Sequence, residues 1–106
     1  DYVHVMDLAE AHVKGLNWLL EGRGNRAFNL GTGHGFSVRQ VIDASRAVTN
    51  RDVPIIQGPR RAGDAASLVS GSDRARAELG WSPSRSTLPE IIRDALCWSQ
   101  KPGFLR

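Results

Sequence analysis

At 106 residues, with 41% apolar and 24% charged side chains, the chain has the size and composition of one small globular domain. No apolar run approaches the roughly 18 residues that a membrane-crossing helix needs, and the sequence shows no signal peptide. The formal net charge of +3 comes from arginines scattered along the chain, without the dense basic block of a dedicated nucleic-acid module. The single cysteine, Cys97, excludes an internal disulfide framework and fits a reducing cytosol. The chain opens on Asp1 without an initiator methionine, which suggests a piece of something longer.

Tyr2-Val3-His4-Val5 alternates weakly and reads as a short extended lead-in. Asp7 then stands where an N-cap belongs, with Glu10 three residues on. Residues 8–20 follow a helical pattern, and Leu8, Ala9, Ala11, Val13, Leu16, Leu19 and Leu20 wrap a broad apolar arc that asks for cover on two sides. Gly22 and Gly24 stop this helix. Ala27-Phe28-Asn29-Leu30 is a strand candidate leading into Gly31-Thr32-Gly33-His34-Gly35-Phe36. That loop imitates a dinucleotide fingerprint but fails it, because Phe36 stands where the third glycine should be.

Ser37 and Gln40 form a capping box for a second helix over residues 38–48, which Asn50 and Asp52 break. Val53-Pro54-Ile55-Ile56-Gln57 reads as an edge strand or a strand start. A second short strand fits around Leu68-Val69. Ser72 or Asp73 caps a two-turn helix that Gly80 closes, and Trp81-Ser82-Pro83 follows. The last helix starts at the T-x-x-E sequence Thr87-Leu88-Pro89-Glu90, and Pro102 stops it. Helices mixed with short strands point to an α/β fold.

The richest chemistry lies in Pro59-Arg60-Arg61-Ala62-Gly63-Asp64. Arginine presents a planar fork of donors that matches phosphate oxygens. An aspartate nearby can accept from the vicinal hydroxyls of a ribose, and a glycine permits the backbone turn that would face both groups into one concavity. Without a ligand, the same six residues describe a solvated turn with a local ion pair. His4, His12 and His34 have no acid, nucleophile or second ligand at useful spacing, so they read as structural or exposed. Cys97, among Ala95, Leu96 and Trp98, reads as a buried inert thiol, and Trp18, Trp81 and Trp98 as core anchors. No cluster has zinc spacing.

Taken in order, several segments resemble UDP-glucose 4-epimerases, NAD-dependent members of the extended short-chain dehydrogenase/reductase family. Residues 1–12 are similar to their RDYIHVxDLAxAH stretch, Phe28 to Gly33 to FNLGxG, and Gly35-Phe36-Ser37-Val38 to the GxSVxxV helix start. Pro59 to Asp64 matches PRRxGD, and Leu79-Gly80-Trp81 matches LGW. The resemblance covers nearly all of this chain but only the C-terminal third of such an enzyme. It implies the substrate-binding part of a Rossmann-type enzyme whose NAD-binding domain lies elsewhere. Residues 1–36 would return to that domain, and residues 37–106 would belong to the UDP-sugar-binding portion.

The same resemblance implies site roles. Arg61 would contact the diphosphate, with Arg60 beside it, and Asp64 the uridine ribose. Tyr2 would line the pocket, and Leu68 would stand at its sugar end, where bulk decides whether an N-acetyl group fits. The arginine of RDY would fall just before Asp1. In the family, hydride passes from the sugar C4 to NAD and returns to the other face of a 4-keto sugar, with a Tyr-x-x-x-Lys pair as base. Tyr2 is followed by Met6 at the lysine position, so no catalytic residue is expected in this segment. The expected partner is a UDP-sugar, with neither nucleic acid nor membrane, in a cytoplasmic enzyme that dimerises through the other domain. Two rivals remain: another nucleotide-sugar enzyme of the superfamily (a 4,6-dehydratase, a UDP-xylose synthase or a uronate 4-epimerase), and a basic non-enzymatic binding module.

Overall fold

A computed structural model describes residues 1–101, in which four helices follow one another along the chain. They are α1 (Val5–Leu20), α2 (Val38–Thr49), α3 (Asp73–Leu79) and α4 (Leu88–Ser99). α1 packs against α3, and α2 against α4. The Pro102 stop lies outside the described residues, and α4 ends at Ser99 before it.

The helix boundaries follow local chemistry. The Ser37 hydroxyl accepts from the Gln40 amide, while the Gln40 side chain accepts from the Ser37 amide, closing the expected box. Thr87 accepts from the Glu90 amide at 3.4 Å, with proline in the first turn of α4. Asn50 and Gly80 close α2 and α3 in the left-handed conformation. α1 begins three residues earlier than its apolar pattern indicates. Its cap is His4, whose Nδ1 accepts from the Met6 amide at 3.0 Å, and Asp7 lies inside the first turn with its carboxylate buried.

No strand forms among the described residues. The segments around 27–30, 53–57 and 68–69 are non-helical, as their β-branched and aromatic residues favour, but none pairs into a ladder. A strand candidate becomes a strand only when a neighbour accepts its backbone hydrogen bonds. Ile56 is wholly exposed, so nothing here covers that segment.

The buried centre is small. Trp81 and Ala75 are completely enclosed, Ala11 nearly so, and Val3, Phe28, Leu30 and Leu79 pack around them. Trp18 is also buried, with its ring edge-on to Phe28 at 5.3 Å between centroids and its indole N–H donated to the Gly24 carbonyl at 2.8 Å. Trp98 departs from the core role assigned to it and is 59% exposed, with the Lys101 ammonium 5.1 Å from its ring centre. Cys97 is likewise exposed, not buried. Both lie toward the C-terminal end of α4.

Helix α1 carries two apolar faces. Asp7, Ala11 and Trp18 form the inner one, turned to α3 and Trp81. Val5, Val13, Leu16 and Leu20 form the opposite one and are more than half exposed. Beside it an apolar groove of about 410 Å³ runs between Ala11, Leu16, Leu19, Phe28, Leu30 and Leu79. The whole molecule is correspondingly open. Its radius of gyration is 16.9 Å, against about 13 Å for a compact domain of this length. It exposes 8049 Å², where a compact monomer of this mass exposes about 5,800 Å².

Candidate functional site

The arginine-rich loop turns as its composition predicts. Gly63 adopts φ 87°, a conformation that costs a side-chain-bearing residue but not glycine. The turn folds Arg61 back, so that its Nε donates to the Asp64 carboxylate at 3.1 Å. The Arg60 guanidinium donates to the Asp64 carbonyl oxygen at 2.8 Å. All three residues are exposed, and 85% of the Arg61 side chain faces solvent. The turn thus presents two guanidinium groups and one carboxylate already gathered at the surface. An exposed pair of this kind contributes little to stability.

A second junction joins the first residues to the glycine loop and to the segment around Leu68. The Asp1 carboxylate accepts from the Thr32 hydroxyl at 2.6 Å and from the Ser70 amide at 3.1 Å. The Asp1 nitrogen donates to the Leu68 carbonyl oxygen at 2.8 Å. Tyr2, the next residue, is half-buried, and the Leu68 side chain is exposed. Asp1 thus ties the Leu68 backbone to the residue that precedes Tyr2. No hydrogen bond or ion pair links either of them to Arg60, Arg61 or Asp64 among the described residues.

The third junction is buried. Asp7 Oδ2 accepts from the Ser86 hydroxyl at 2.6 Å and the Arg85 amide at 3.0 Å, while Oδ1 accepts from the Ser84 amide at 3.2 Å. The Asp7 carbonyl oxygen accepts from the Trp81 indole at 2.7 Å. His4 Nε2 lies 3.1 Å from the Asp94 carboxylate, and the His4 amide donates to Ser86 Oγ at 2.9 Å. Burial pushes the Asp7 carboxyl up. The Ser86 hydroxyl, the Arg85 and Ser84 amides and nearby His4 together outweigh it and hold the group below its ordinary value of 3.8. This network clamps the start of α1 onto residues 81–94. Its polar atoms are already engaged with one another, which makes it a structural clasp.

No family model matches the chain. It is 45% identical over 100 residues to the UDP-glucose 4-epimerase of Lacticaseibacillus casei, which covers 94% of this chain and 30% of that protein. A crystal structure of a UDP-glucose 4-epimerase superposes with a TM-score of 0.91 at 47% identity, covering 96% of this chain and 31% of the other. The chain is related to the UDP-glucose 4-epimerases. It matches their C-terminal part and spans about 30% of the length of the curated relatives. The epimerase of Bifidobacterium longum, solved in complex with NAD+ and UDP, superposes with a TM-score of 0.80 at 34% identity, over 98% of this chain and 30% of that one.

Against these epimerases the helical pattern of the isolated chain is the C-terminal portion of a larger fold. Of the residues singled out by sequence, Arg60, Arg61 and Asp64 form one cluster, while the Leu68 backbone is tied to Asp1, next to Tyr2 in the chain. Sequence reasoning missed Asp1 and the inward turn of Asp7. In the 31–35 loop, close packing explains Gly31 and Gly35, and a φ of 77° explains Gly33. A Cβ on Gly31 would collide with the Ser70 carbonyl oxygen and lie 2.6 Å from Asp1 Oδ2, and one on Gly35 would lie 2.8 Å from Val69 Cγ2. Phe36 stands where a dinucleotide fingerprint needs its third glycine, so these residues do not form one for NAD.

Proposed function

We propose that this chain is the UDP-sugar-binding C-terminal portion of a UDP-glucose 4-epimerase that interconverts UDP-galactose and UDP-glucose through a 4-keto sugar. The observation that carries the reading is the 45% identity to such an enzyme across 94% of the chain, with the arginine-rich turn intact. NAD, held by the portion outside this chain, would supply the hydride acceptor and donor. The chain's own residues bind and orient. Arg61 holds the diphosphate as a planar donor fork, Arg60 adds positive charge beside it, and Asp64 accepts from the ribose hydroxyls. Tyr2 lines the same pocket, and Leu68 stands at its sugar end.

The outer face of α1 and residues 27–30 would dock on the NAD-binding portion, while the inner face of α1 stays with α3. The whole enzyme would work in the cytoplasm as a homodimer joined through the portion outside this chain.

Binding at the turn is an exchange. Arg61 and Asp64 occupy each other in the free state, so a ligand must replace both partners at once. A nucleoside diphosphate does so, giving phosphate oxygens to the guanidinium and hydroxyl donors to the carboxylate. Inorganic phosphate serves the arginine alone and leaves Asp64 facing added negative charge.

Calorimetric titration of the full-length protein with UDP tests the assignment. Arg61→Ala weakens binding by about 1.5–3 kcal/mol, the range for a hydrogen bond to a charged group, and Arg60→Ala weakens it less. Equal losses, or the reverse order, would overturn these roles.

A further inference from the structure

The segment that carries Leu68 belongs to no helix and to no ladder, so its position depends on the few bonds that hold it. Two of them come from one residue. Asp1 accepts from the Ser70 amide through Oδ2 and donates from its nitrogen to the Leu68 carbonyl oxygen. The carboxylate also takes the Thr32 hydroxyl at 2.6 Å and the Thr32 amide at 3.2 Å. Thr32 is fixed in turn, since its Oγ1 accepts from the His34 amide at 3.2 Å.

The packing under this knot leaves no slack. Gly31 is buried and has no room for a Cβ against Ser70 and Asp1, and Gly35 has little against Val69. The three segments therefore cannot slide without breaking these bonds. Tyr2 follows Asp1 directly along the chain.

We infer that Asp1 is a positioning residue that sets the spacing between the Tyr2 and Leu68 walls, and through it the size of the sugar substituent that the pocket admits. The inference rests on the assignment of Tyr2 and Leu68 as walls of the UDP-sugar pocket. Asp1 need not touch the substrate. It acts by holding the 68–70 segment at a fixed distance from Tyr2. Released from that hold, Leu68 yields to a bulkier substituent at the position it guards.

The test uses the full-length enzyme carrying Asp1→Ala and, separately, Gly31→Ala, which wedges the same segments apart with the carboxylate intact. Each variant is assayed with UDP-galactose and UDP-N-acetylgalactosamine, and its affinity for UDP is measured independently. The expected result is a change of about tenfold in the ratio of kcat/KM values in favour of the N-acetylated sugar, the scale on which a pocket senses a small group. UDP affinity should stay within about twofold, because the nucleotide is held by the arginine-rich turn. A role confined to stability would lower both sugars alike and leave the ratio where it was, and that outcome overturns the inference. Should Asp1→Ala fail to fold, Thr32→Val removes the 2.6 Å hydroxyl bond to Asp1, together with the contacts of the same hydroxyl to His34, and should shift the ratio in the same direction by a smaller factor. A wild-type protein that binds no UDP would overturn the pocket assignment itself, a failure distinct from an unchanged sugar ratio.

Discussion

Replacing Asp7 with asparagine isolates the charge of the buried clasp while keeping its shape. The aspartate takes two amides and one hydroxyl from residues 84–86. With the amide oxygen kept toward Ser84, the new NH2 group points at the Arg85 amide, and donor faces donor. The Ser86 hydroxyl can rotate to accept, but it no longer bonds to a charge. The variant therefore loses one charge-assisted bond outright and weakens another, a cost of about 2–3 kcal/mol at neutral pH. Against a total stability of about 5–15 kcal/mol for a domain, urea denaturation followed by tryptophan emission resolves that difference.

The pH dependence sharpens the test. The folded-state carboxyl is held below 3.8, so its contribution is fully present above that value and is lost as pH falls through the folded-state value. Asparagine does not titrate. The gap between wild type and Asp7→Asn should therefore hold from neutrality down to 3.8 and close only as the pH falls through the folded-state value below it. A penalty below about 0.5 kcal/mol, or a gap of the same size at both ends, would refute the account of Asp7 as an ionised anchor.

Two further outcomes follow from the packing. Trp81→Phe fills most of the enclosed site but takes the indole donor from the Asp7 carbonyl oxygen, and should cost about 0.5–1.5 kcal/mol for the lost hydrogen bond, measured by the same denaturation series. The chain expressed alone should self-associate through the outer face of α1, and Leu16→Lys should shift the sedimentation distribution toward monomer. A chain that is already monodisperse and monomeric would show that this face is too small or too polar at its rim to drive association.

The helices were readable because their signals are local. Ser37 with Gln40, Thr87 with Pro89, and Asn50 or Gly80 at a helix end each act within a turn of their own position. The turn at Gly63 was legible for the same reason. The start of α1 was misplaced because Asp7 is as good a cap as His4 by composition, and only residues 84–86, far along the chain, decide between them. The residues at 27–30 and 53–57 have strand composition, but a ladder needs a second strand, which composition cannot supply. Cys97 and Trp98 sit in an apolar run whose periodicity marks a helix without saying which of its faces finds a partner. At the candidate site, the residues of the arginine-rich turn were visible as a motif. The tie at Asp1 was not, since it joins positions 1, 32 and 70 by bonds that leave no periodic trace.

The clasp between Asp7 and Trp81 spans 74 residues of sequence. On the ribosome, at roughly 5–20 residues per second, about 4–15 s separate the synthesis of its two halves. Through that interval α1 emerges with both apolar faces bare, and short helices in water are only marginally stable. The nascent chain must carry an amphipathic segment that cannot yet fold home, and protection for it has to come from whatever was translated before it or from a chaperone. The late arrival of Trp81 makes the first helix of this chain among the last to be locked.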